Sequence, residues 1–194
     1  MSKWIGHHGT FSNEIDEISD ESFRLFLDVC WPYVDYFTFS SCDDDFVGVE
    51  LRSIVDFCPL KKELSPWFAG RTVRPEWFGY GWKGSKMCIY RYKSSREAKE
   101  VILSCYRDIM LRHPIPKPGI NRLRRFDDLC LFSRGKLFYG SICHESVVYL
   151  YPLTIQMRSI VTSLGKWWPS RLVVDESSRR NIYKYNWTDE PSPT

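Results

Sequence analysis

The chain has 194 residues, 43% hydrophobic and 26% charged, with a net charge of +3. That is enough apolar material for one sizeable core, which excludes a wholly disordered chain. No apolar run approaches the roughly 20 residues that cross a bilayer, and the N-terminus "MSKWIGHHGTFSNEIDE" lacks the apolar stretch and cleavage site of a secretory signal, so a cytoplasmic protein without a membrane partner is expected.

The first expected element is a helix over 19–31, "SDESFRLFLDVCW". Ser19 or Asp20 can cap it, acids fill its first turn, and Phe23, Phe26, Leu27 and Cys30 recur at helical spacing before Pro32 stops it. Strands are expected over 33–40 and 46–51, joined by "SCDDD", and residues 58–86 read as loop-rich. A strand over 86–93, "KMCIYRYK", precedes a helix over 95–112, capped by Ser94 or Ser95 and burying Ala98, Val101, Ile102, Cys105, Ile109 and Met110. The prolines of "HPIPKPG", 113–119, exclude a helix and mark the place where two subdomains would meet. Beyond them "DDLCLFSRGKLFYGSICHESVVYLYPL" predicts a three-stranded meander over 128–133, 136–143 and 146–151, with turns at "SRGK" and "HES". A helix over 153–164 follows, closed by Gly165. "SRLVVD" and "NIYKYNW" read as two short strands, and 188–194 as a frayed tail. The sum is a single α+β domain, mainly an antiparallel sheet packed against about three helices.

Seven cysteines occur without any CxxC or CxC pair, mostly inside apolar runs. They read as reduced, buried thiols rather than as a disulfide framework or metal site. Charge is segregated along the chain. Residues 14–45 carry ten acids against Arg24 alone, whereas 61–140 carry 18 Lys or Arg against seven acids. Either the two regions lie together and screen one another, or one face presents a field of single sign to a charged partner.

Candidate chemistry is sparse. Cys143 and His144 could pair as nucleophile and base, with Glu145 beside them, but neighbours on a strand point to opposite faces, so a structural turn is the leading reading. Asp43, Asp44 and Asp45 form an acidic turn without the spaced ligands of a calcium loop, and read as a partner contact rather than a metal site. No phosphate-binding glycine loop, nucleophile elbow or zinc-protease motif is present, so no cofactor and no catalytic residue is assigned.

The densest feature is "SPWFAGRTVRPEWFGYGWKGS", where Trp67, Phe68, Trp77, Phe78, Tyr80 and Trp82 are interleaved with Arg71 and Arg74. Rings and arginines together are typical of protein–protein hot spots and also of single-strand nucleic-acid platforms. The same rings could instead pack inside. The partner-binding set read from the sequence is Arg71, Arg74, Trp77, Phe78, Tyr80 and Trp82, with Asp43, Asp44 and Asp45.

With its aromatic content, reduced thiols, segregated charge and the "LCLFSRGKLFYGSICHE" meander, the chain resembles bacterial immunity proteins against polymorphic or contact-dependent toxins. The resemblance is one of build and carries over no residue. It implies 1:1 binding of a cognate toxin domain, occluding its active site without catalysis. The alternatives are a nucleic-acid-associated protein using Arg71, Arg74, Arg122, Arg124 and Arg125, and an enzyme with a site near His144–Glu145.

Overall fold

The computed structural model describes residues 7–10, 18–42, 59–77, 80–81, 87–111, 126–169 and 185–189. The strands are β1 His7–Thr10, β2 Tyr36–Cys42, β3 Phe68–Arg74, β4 Glu76–Trp77, β5 Tyr80–Gly81, β6 Met87–Lys93, β7 Asp127–Ser133, β8 Lys136–Ile142, β9 Val147–Leu150 and β10 Trp168–Pro169. The helices are α1 Asp20–Cys30, α2 Pro59–Glu63, α3 Arg96–Cys105 and α4 Ile155–Ser163. Eight strands form one sheet in the order β10-β1-β9-β8-β7-β2-β6-β3, every neighbouring pair antiparallel, while β4 and β5 pair separately. The fold is thus α+β with an antiparallel sheet.

Strand alternation divides the apolar residues between two faces. Cys88, Tyr90 and Tyr92 of β6, Phe37 and Phe39 of β2, and Leu129 and Leu131 of β7 join the buried faces of all four helices in the main core. Phe37 stacks on Tyr92 at 5.4 Å between ring centres, and Phe39 on Phe126 at 5.3 Å. The alternate residues Met87, Ile89, Cys130, Phe132 and Leu137 form a second, smaller core with Trp77. Helices therefore cover one face of the sheet, and on the other Trp77, Tyr185 and Trp187 pack over the second core.

The first helix buries the expected stripe, Phe23, Phe26, Leu27 and Cys30. Its exposed side is tied to α3 by Arg24–Glu100 at 3.0 Å and by Lys99–Asp28. Residues of the acidic 14–45 region and the basic 61–140 region therefore meet, and β2 itself lies between β6 and β7. Charges apart in sequence are neighbours here, so screening is part of the arrangement. The meander appears as expected, and its first turn has Arg134 at φ 49° and Gly135 at φ 71°, the two positive values of a type I′ hairpin. Ser95 caps α3 by accepting a hydrogen bond from the Ala98 amide at 3.0 Å, and Thr154 caps α4 through the Met157 amide at 3.0 Å.

Three elements differ from the sequence expectation. The helix expected to reach 112 ends at Cys105, because Arg107 and Ile109 turn to pair with the chain before α1: the Asp20 amide donates to Arg107 O and the Ile109 amide to Ile18 O. Ile109 and Met110 remain buried without being helical. The turn at 143–145 is a short 3₁₀ segment followed by left-handed Ser146, rather than a tight hairpin. Inside the loop-rich stretch lie α2 and the seven-residue β3, whose alternation is interrupted by Gly70. The expected strands at 46–51 and 170–175, and the proline segment 113–119, lie outside the described residues.

Candidate functional site

As the last strand of the sheet, β3 pairs with β6 on one side and offers an edge on the other. An edge strand presents a row of N–H and C=O groups able to pair with another chain. Arg71 uses both of its own on that side, exchanging 2.8 Å backbone hydrogen bonds with Thr188 in an antiparallel bridge. Alternate residues of a strand direct these groups the same way, so those of Val73 also face the edge. Among the described residues no backbone bond reaches Val73 there, and its side chain is 41% exposed.

Residues 185–189 lie along this edge and reach over the second core. The Arg74 guanidinium sits 4.3 Å above the Tyr185 ring, and that of Arg91 sits 4.5 Å above Trp187 and 5.2 Å from the Tyr36 ring. Arg91 Nε also donates to Ala69 O at 2.9 Å, which holds the guanidinium in place. Tyr185 packs edge-on to Trp77 at 5.6 Å and to Trp187 at 6.2 Å. Gly70 makes the close approach feasible. Its φ is +121°, and a Cβ there would stand 3.0 Å from Trp187 Cβ and 3.1 Å from Thr188 O.

The structure thus brings Arg71, Arg74 and Trp77 into one neighbourhood, but in different roles. Trp77 is 1% exposed and packs against Phe132 and Tyr185. As a surface contact it is corrected to core packing, because its ring covers the second sheet face together with Tyr185 and Trp187. Arg71 and Arg74 are half-buried. Phe78, Trp82, Asp43, Asp44 and Asp45 lie outside the described residues, as do Arg122, Arg124 and Arg125; of Tyr80 only the backbone in β5 is described. Sequence reasoning missed Arg91, Tyr185 and Trp187. A cation at the inward-alternating position of "CIYRY" was a usable signal. The tail, expected to fray from 188, pairs at Thr188, and 190–194 lie outside the described residues.

Around Cys143 the geometry is structural. The Cys143 amide donates to Asp128 Oδ1 at 2.8 Å, the Asp128 amide donates to Cys143 Sγ at 3.2 Å, and Ser40 Oγ donates to Asp128 Oδ2 at 2.6 Å. This clamp joins β2, the start of β7 and the end of β8. Burial, reinforced by the Asp128 charge, pushes the Cys143 thiol well above its ordinary value, so at neutral pH it is a thiol and a poor nucleophile. Glu145 is exposed.

A groove of about 260 Å³ runs between α1 and α4, lined by Val29, Pro32, Tyr33, Thr154, Met157 and Ile160 among others. It falls below the roughly 300–1,000 Å³ of small-molecule sites. Among the described residues no group of three or more His, Cys, Asp or Glu is placed to hold a metal ion. The β3 edge is the candidate surface among the described residues. No family model matches the chain, and neither a curated protein nor a solved structure matches it.

Proposed function

We propose that this chain is a protein-binding module, an inhibitor of immunity type that occludes the active site of a toxin domain in a 1:1 complex. The observation that supports it is the edge of β3 at Val73, whose outward backbone groups meet no backbone bond among the described residues and whose exposed side chain stands between half-buried Arg71 and Arg74. Strand addition to such an edge gives affinity through the main chain and specificity through alternate side chains. Arginines beside rings supply the anchors common to protein interfaces.

Protection is the test. The chain is expressed together with any toxin domain encoded immediately upstream of its gene, and growth and complex size are measured. Rescue of growth with a 1:1 complex is expected. If no toxin domain is encoded there, or if it kills despite the chain and no complex forms, the reading falls.

A further inference from the structure

We infer that the β3 edge is a receptor for an extended peptide segment carrying two aromatic residues at alternate positions, and that residues 185–189 occupy it as the chain's own displaceable stand-in. The inference deepens the binding reading above and takes from it only that the partner is a protein.

The occupant is legible because one is seated. Tyr185 and Trp187, two residues apart, project toward the sheet and meet one guanidinium each, Arg74 at 4.3 Å and Arg91 at 4.5 Å. Thr188 then supplies the backbone bridge to Arg71, and its hydroxyl adds a 3.1 Å bond to Arg71 O. Two cation–ring seats at a period of two residues fit an extended strand and no helix, whose neighbours on one face are three or four apart. Gly70 shapes the site as well, because its bare Cα admits the Cβ of the second ring residue. A partner segment of the form aromatic-X-aromatic-X, antiparallel to β3, therefore fits the same seats.

Over residues 185–189 the segment holds the edge incompletely. Among the described residues it forms one bridge, at Arg71, and no backbone bond to the outward groups of Val73. An antiparallel segment kept in register past Thr188 would place the residue between its two rings opposite Val73 and gain that pair. The resident Asn186 makes no such bond. A partner that completes the ladder would hold more of the edge than residues 185–189 do, and a segment at the edge of a sheet opens locally at less than the cost of global unfolding.

The test needs no toxin. The probe is an acetylated and amidated five-residue peptide of the sequence Tyr185–Asp189, titrated into isotopically labelled full-length chain while the Arg71 and Val73 amides are followed by NMR. Thr188→Pro releases the resident segment by removing the amide that donates to Arg71 O. Saturable shifts at Arg71 and Val73 are expected in Thr188→Pro, at least tenfold weaker in the unaltered chain, and absent with a peptide whose two rings are replaced by alanine. Trp187→Ala provides a second released form should the proline disturb the fold. No binding to either released form, or equal binding to released and unaltered chains, overturns the inference. Growth rescue by a chain that fails this titration would leave the immunity reading standing and remove this one alone.

Discussion

At the scale of single residues, Trp77 shows how an aromatic excess can be spent on packing rather than recognition. Among the described residues no helix lies over the second face of the sheet, and a large ring from the β4–β5 ribbon fills the space above Met87, Ile89, Cys130 and Phe132. Trp77→Ala should cost about 3–5 kcal/mol, the usual range for removing a buried ring. Trp77→Phe should cost clearly less. Among the described residues the buried Trp77 Nε1 has no nitrogen or oxygen acceptor and only the Cys130 thiol, a weak partner, beside it, so the phenyl ring abandons no strong bond. Urea unfolding of the two variants checks the order; equal losses would mean the indole nitrogen is held more firmly than its geometry implies.

Among elements, β3 and the segment 185–189 form one unit, with Gly70 as its joint. Alanine at Gly70 must keep a φ of +121° and bring its Cβ to 3.0 Å from Trp187 Cβ, a contact shorter than real Cβ atoms ordinarily make. Gly70→Ala should therefore release the segment and cost about 1–2 kcal/mol, in line with the strain of left-handed backbone. Amide exchange reads this directly: Thr188 should exchange at nearly the unprotected rate, while the Leu131 amide of β7, flanked by β2 and β8, keeps its protection. This unit also shows why the sequence was only partly readable. Helix α1, strand β6 and the β7–β8–β9 meander are local patterns, set by periodicity and turn residues such as Arg134–Gly135. Strand β3 was not, since the Gly70 irregularity breaks its alternation, and the end of α3 was not, since a distant backbone at Ile18 and Asp20 pulls the chain out of the helix. The candidate site shares that history: its ring–arginine content stood in the sequence, but its pairing with Tyr185 and Trp187 depends on a contact spanning 117 positions.

For the molecule as a whole, buried thiols set a pH boundary. Cys30, Cys130 and Cys143 are all pushed above the ordinary thiol value of 9.0 by burial, with Asp128 adding to the effect at the latter two. The unfolded chain releases these protons near 9.0 while the folded chain keeps them, so their contribution to stability is fully present below that pH and declines above it. Each thiol should contribute a slope of about 1.4 kcal/mol per pH unit over that window. Buried Tyr139, raised well above 10.0, adds the same sign at higher pH. Denaturant midpoints flat from pH 7 to about 9 and falling steeply beyond are expected; a midpoint that holds to pH 11 would contradict the burial of these groups. Alkylation below that boundary should leave the three thiols untouched until the protein unfolds.

The position of β2 between β6 and β7 has a consequence for timing. The strand is made early, yet one of its two neighbours is made late: Ser40 and its partner Asp128 are 88 positions apart. During synthesis at roughly 5–20 residues per second, Phe37 and Phe39 must wait several seconds for the second half of their environment to leave the ribosome. In that interval β2 can pair with β6 but its other edge stays unpaired, which makes the aromatic strand of a nascent chain a natural client for a holding chaperone and translation speed a determinant of yield.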